Sequence, residues 1–279
     1  MEIHENSNVS LYLSGLEPLD TYKNELQAVQ LYSHPDLGTV LVIDGEIQHV
    51  SKWNSFYHET LTHLPSSFSN GVSSALILGG GDLFAAYELL KYSSITKLVI
   101  CEWDIEIIKL MKKHYNHALD VDIDSRVHYV FDDAISFVKK HRQKYDLIIN
   151  DCFNLIEAFP REDIYAILGS MLTPEGICCD LIYRHIFDNG CLKKSMAYLL
   201  RQNHKAFSLV TVPEYPGALH LLSIWGNNAL ISQAHTKSLN PEHANMRFEY
   251  FNPTHISYYF YLPPYLKRHL TSLQVNPPK

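Results

Sequence analysis

The apolar run Ala75-Leu-Ile-Leu78 breaks directly into Gly79-Gly80-Gly81-Asp82, and beyond it short apolar runs alternate with amphipathic stretches. No other feature restricts the possible folds as much. Lys97 to Cys101, His128 to Phe131 and Tyr145 to Asn150 read as strands, separated by helices from Asp104 to His114 and from Ala134 to His141. Strands this apolar, joined by helices, require a parallel sheet covered on both faces. A helix between Arg161 and Met171 then leads through the turn Pro174-Glu175-Gly176 to a strand at Ile177–Leu181, followed by Ala206–Val212 and Leu219–Trp225. The expected class is α/β, a Rossmann-like doubly wound, mostly parallel sheet.

Upstream the pattern differs. Leu26 to Leu31, Thr39 to Ile43 and Glu46 to Val50 read as strands, and Asp44-Gly45 fits a two-residue hairpin turn. A small antiparallel β domain is expected over residues 1–66, and a nucleotide-binding catalytic domain over 67–279, the change falling beside the polar turn Phe68-Ser-Asn-Gly71.

A net charge of −7 argues against a nucleic-acid partner, which would need a concentrated basic face. The basic runs Lys112-Lys113-His114 and Lys139-Lys140-His141-Arg142 close helices, where cations complement the dipole. No apolar stretch approaches the roughly 18 residues of a membrane span, and Met1-Glu2-Ile3-His4-Glu5 lacks signal-peptide character, so a cytoplasmic protein with no membrane partner is expected. Five cysteines without a C-x-x-C pair predict free thiols and no zinc site. His114 and His117, three apart at a helix end, are expected on the surface rather than on a metal.

The chemistry concentrates at strand ends. Gly79, Gly80 and Gly81 let the backbone approach a ligand, but Asp82 stands where a carboxylate repels pyrophosphate and attracts a cation. A sulfonium bearing an ammonium fits that charge. Glu102, about twenty residues on, can accept from both ribose hydroxyls, and Asp133 with Ala134 at the third strand end can receive an adenine. Asp151 follows the fourth strand beside Asp82, and two carboxylates there can hold an ammonium between them. A methyl donor carrying its own carboxylate would be repelled.

On these residues the chain resembles the polyamine aminopropyltransferases, the spermidine synthase family, from about Leu26 to Leu270. The matching motifs are Leu41-Val-Ile-Asp-Gly45 with Gln48, Phe56-Tyr57-His58-Glu59 with His63-Leu64-Pro65, Gly79-Gly80-Gly81-Asp82, Glu102-x-Asp104, Asp133-Ala134, Tyr145-Asp-Leu-Ile-Ile-Asn-Asp151, Val212-Pro213-Glu-Tyr215-Pro216-Gly217 and Phe251-Asn252-Pro253-x-His255 with Leu262-Pro263. The resemblance implies decarboxylated S-adenosylmethionine as co-substrate, with no resident cofactor, and a homodimer. It puts Gln27, His58, Gly79 to Asp82, Glu102, Asp133 and Ala134 on the donor. Asp151, assisted by Tyr57 and Asp82, would be catalytic, and Tyr57, Asn154, Arg184 and Tyr215 would meet the acceptor.

The departures concern the acceptor. Relatives that use putrescine carry D-S-S-D-P where this chain reads Asp151-Cys152-Phe153-Asn154-Leu155, so an acid that helps bind the diamine is replaced by Asn154. An acidic pair becomes Lys52-Trp53-Asn54-Ser55, a polar segment becomes Asp180-Leu-Ile-Tyr183-Arg184-His185, and a glycine becomes Leu83. Lost negative charge together with Lys52, Arg184 and His185 disfavours a dication. A neutral or anionic small-molecule acceptor is expected, such as the phosphate-bearing peptide nucleotide of microcin C-type maturation. The competing readings are spermidine synthesis from putrescine, S-adenosylmethionine-dependent methyl transfer, and a silent nucleotide or polyamine sensor.

Overall fold

The computed structural model describes residues 2–6, 9–152, 164–183, 199, 201–215, 220–233 and 236–275. Asn154, Arg184, His185, Pro216 and Gly217 lie outside them. A hairpin of β1 (Glu2–Asn6) and β2 (Val9–Tyr12) precedes a four-stranded antiparallel sheet of β3 (Glu17–Lys23), β4 (Ala28–His34), β5 (Gly38–Ile43) and β6 (Glu46–Val50), in that order. Asp44 and Gly45 turn β5 into β6 with φ of 51° and 87°, both left-handed, as a tight primed turn requires.

The helix α1 (Asn54–Ser66) then crosses to the large sheet, formed by β7 (Ser74–Leu78), β8 (Lys97–Glu102), β9 (Val127–Phe131), β10 (Tyr145–Asn150), β11 (Leu172–Tyr183), β12 (His204–Val210) and β13 (His220–Gly226). Their order is β12-β13-β11-β10-β7-β8-β9. The five strands from β11 to β9 are parallel, and β13 runs antiparallel between β11 and β12. This is the expected class. The apolar runs are continuous because both faces are covered: Ala75, Leu76, Ile77 and Leu78 have no exposed surface. The connections are α2 (Phe84–Leu90), α3 (Ile105–His114), α4 (Asn116–Ile123), α5 (Ala134–Lys140) and α6 (Ile164–Ser170), with α7 (Ile256–Tyr259) and α8 (Pro264–Val275) closing the chain.

The chain leaves β7 for β8 and β9 on one side, then returns to β10 on the other. Strand order therefore reverses between β7 and β10, where a crevice opens at the carboxyl ends of doubly wound sheets. Gly79 follows one of these strands and Asp151 the other. One buried apolar cluster runs from Val29, Leu31 and Leu41 through Leu61 and Leu64 to Ile77 and Ile149, so the antiparallel sheet is packed onto the larger one.

Two local expectations are corrected. Pro174-Glu175-Gly176 is not a turn before β11 but an irregularity within it, where pairing jumps from Tyr145 with Leu172 to Leu147 with Ile177. His117 is not a surface residue on the same helix as His114. Tyr115 separates α3 from α4, and the His117 ring stacks on Phe84 at 3.7 Å while its Nε2–H donates to the Asp82 carbonyl at 2.9 Å. His114 and Lys113 meet Asp20 at 2.7 and 2.8 Å, a link between α3 and β3.

Candidate active site

The glycine turn after β7 is shaped by what it must pass. Gly79 has φ of +80°, and a Cβ there would lie 3.1 Å from the Asp151 carbonyl oxygen. A Cβ on Gly81 would come within 2.8 Å of Glu102 Oε2 and 2.6 Å of Ile107. Only glycine lets this backbone run beside the Asp151 main chain and the Glu102 side chain. Leu83 adopts φ of +64°, a left-handed geometry that favours glycine. That backbone costs about 1–2 kcal/mol, while a fully buried leucine side chain contributes roughly 1.5–3 kcal/mol, so packing holds the strained residue in place.

Gly79 to Asp82, Glu102, Gln27, Tyr57, His58, Asp151 and Tyr215 all line one cavity, as the sequence leads one to expect. Asp82 does not face Asp151 as a bare carboxylate. His58 on α1 approaches its Oδ2 at 3.2 Å through Nε2, while His58 Nδ1–H donates to the Asn54 carbonyl at 3.2 Å and Asp82 Oδ1 accepts from the Phe84 amide at 3.0 Å. Burial disfavours the charged imidazole, but the Asp82 carboxylate overrides it and raises His58 to about 9. Burial likewise works against Asp82, and the His58 charge holds it well below the usual carboxylate range. The two form an ion pair.

Asp151 is the carboxylate left over. Its backbone N–H donates to the Leu78 carbonyl at 2.9 Å, and Tyr57 Oη donates to its Oδ1 at 2.7 Å. Burial pushes Asp151 up to about 6, with His58 pulling down and Asp82 pushing up. Burial also keeps the Tyr57 phenol well above its ordinary value, so it remains a donor. Because the His58 charge restrains Asp151, His58→Gln is expected to move the acid limb of the kcat/KM pH profile to higher pH. An unmoved limb in that variant would detach His58 from Asp151.

Glu102 is pushed up to about 7 by burial, against the amides of Asp104 and Trp103. Gln27 lines the cavity, and its side-chain amide donates to Asp104 Oδ2 at 2.7 Å beside Tyr22 Oη at 2.8 Å, tying the antiparallel sheet to the N-terminus of α3. Asp133 caps α5 through the Ser136 amide at 2.9 Å, and Ala134 opens that helix. Both lie at the end of β9, one strand beyond Glu102, outside the cavity lining. Glu59 is structural: its carboxylate accepts from the amides of Glu249, Tyr250 and Phe251 at 2.9, 2.8 and 2.7 Å. Asp180 is buried among Ser223, Tyr165 and Trp225.

On the acceptor side, one of the cations singled out from the sequence lies away from the cavity. Lys52 is exposed and does not line the cavity, because it sits on the short 3-10 turn ahead of α1. Among the described lining residues there is no lysine or arginine. Glu214, buried to 5% exposure, and His220, to 1%, line the cavity and were not singled out from the sequence. Glu214 sits inside a motif read for Tyr215 alone.

Residues 54–235 match the spermine/spermidine synthase domain. A polyamine aminopropyltransferase of Buchnera aphidicola subsp. Schizaphis graminum is 31% identical over 271 residues, 93% of each chain. One from Yersinia pestis is 26% identical over 96% of this chain and 93% of its own. The crystal structure of spermidine synthase from Thermotoga maritima superposes with a TM-score of 0.85 at 23% identity, over 97% of this chain and 93% of that one.

Proposed function

The chain belongs to the spermine/spermidine synthase family, and from that premise we propose that it moves the 3-aminopropyl group of decarboxylated S-adenosylmethionine to an amine. The observation that carries this is the convergence of Asp82, Glu102, Asp151 and Glu214 on one cavity whose described lining has no lysine or arginine, the His58 charge offsetting one of these four carboxylates. Such a site attracts cations, and the donor brings two, a sulfonium and an ammonium. Within this reading residues 1–66 form the β unit and 67–279 the catalytic unit. Glu102 accepts from the ribose, and the Gly79–Gly81 backbone borders the nucleoside.

The attacking amine nitrogen forms a bond to the methylene next to the sulfonium. The carbon–sulfur bond breaks, sulfur keeps the electron pair and leaves as a neutral thioether, and the amine proton passes to Asp151. Alignment and exclusion of water supply most of the acceleration. Asp151 adds general-base assistance, and Tyr57 orients it.

The phosphate-bearing acceptor has less support than an amine, because Lys52 is away from the cavity and Glu214 adds a negative charge to it. Mass spectrometry of products from the decarboxylated donor with amines and phosphorylated acceptors tests this directly. An aminopropylated amine is expected. A product only on phosphate would overturn the amine reading, methylation from S-adenosylmethionine would overturn the transfer itself, and no product from any pair would favour a sensor.

A further inference from the structure

We propose that Glu214 selects the acceptor, holding the distal ammonium of a di- or polyamine whose other amine is attacked beside Asp151. This rests on the amine reading above and goes beyond it by naming the residue of this chain that recognises the acceptor's far end.

The topology brings Glu214 to the right edge. β12 and β10 run in the same direction, and Val210 at the end of β12 pairs with His220 at the start of β13. The connection between them therefore opens at the same carboxyl edge as Asp151. Its first part is fixed: the Tyr215 amide donates to the Val212 carbonyl at 3.0 Å, and Tyr215 Oη donates to the Ile47 carbonyl of β6. Glu214 is held between these two buried anchors, with Gln48, next to Ile47, on the same cavity wall.

The spacing suits a chain of methylenes. Glu214 lies in the connection between β12 and β13, which stand three and two strands from β10, about 10–15 Å at the usual strand separation. Leu181 on the intervening β11 lines the cavity, as do Val212 and the rings of Tyr57 and Tyr215. A carboxylate at each end with apolar and aromatic surface between is the negative image of an α,ω-diamine. Glu102 and Asp82 stand on the other side of β10, after β8 and β7, and serve the donor end. Glu214 thus takes over, from the β12–β13 connection, the negative charge lost where Asn154 replaces an acid.

The test compares kcat/KM for 1,4-diaminobutane and n-butylamine, which differ by the distal ammonium. The unaltered protein is expected to prefer the diamine, and Glu214→Gln to reduce the diamine-to-monoamine ratio on the order of tenfold or more, the range for a charged hydrogen bond. Glu214→Asp, one methylene shorter, is expected to keep part of the preference and move its optimum toward 1,5-diaminopentane. That shift decides the matter if the glutamine variant does not fold. Amine transfer with an unchanged ratio in Glu214→Gln, or an unchanged optimum in Glu214→Asp, overturns this role alone. Failure of the unaltered protein to transfer to any amine overturns the amine reading and this role with it.

Discussion

Asp151→Asn is expected to lower kcat/KM for aminopropyl transfer by about 10²–10⁴-fold, the range supplied by a positioned general base. Asparagine keeps the shape, and its Oδ1 can still accept the Tyr57 hydroxyl that now lies 2.7 Å from the carboxylate. The backbone bond from residue 151 to the Leu78 carbonyl is unaffected, so position survives while basicity is lost. The pH dependence separates this from a packing defect. With Asp151 held at about 6, the unaltered enzyme should gain activity as pH rises through that value, because only the ionised form accepts the amine proton. The asparagine variant should lack this limb. Near-normal turnover, or the same limb in the variant, would move the base elsewhere.

The central strands were legible in the sequence because they are buried on both faces, leaving runs such as Leu147-Ile-Ile149 with no polar interruption. The turn at Asp44-Gly45 was legible because few residue pairs accept two left-handed positions. Helix α1 escaped notice for the opposite reason. From His58 to Ser66 every residue is buried, so polar and apolar side chains share all its faces and no stripe stands out. His63 is satisfied there by Tyr92 and Glu88, and Thr62 by the His58 carbonyl, contacts that no periodicity announces.

The site divided in the same way. Residues at the ends of β7, β8 and β10 line one cavity because a doubly wound sheet gathers these carboxyl ends into a crevice, whereas Asp133 and Ala134, one strand further out after β9, lie outside its lining. Pairings across the chain were not readable. Tyr57 and Asp151 are 94 positions apart, and the bond between them depends on how α1 crosses the sheet. The place of Lys52 was not readable for a related reason: a count of charges along the chain does not say which of them face the cavity. Glu214 shows the converse, since its burial depends on Tyr215 reaching Ile47 on a distant strand.

These pairings also refine how the donor is chosen. With His58 and Asp82 neutralising one another, Asp151 would supply, on the proposed aminopropyl-transfer reading, the net negative charge beside the transferring group. Decarboxylated S-adenosylmethionine places an ammonium without a carboxylate there, whereas S-adenosylmethionine brings a second anion into a site that burial has desolvated. Like-charge juxtaposition of this kind costs about 2–3 kcal/mol, so calorimetry is expected to give roughly 30- to 150-fold tighter binding of the decarboxylated donor. The preference should be largest above pH 6, where Asp151 is ionised, and shrink as pH falls below it. Asp151→Asn removes the net charge and keeps the ion pair, so the two affinities should converge in that variant. Equal affinities in the unaltered protein above pH 6 would mean that the cavity does not sense the carboxylate, and the methyl-transfer reading would then account for the donor side equally well.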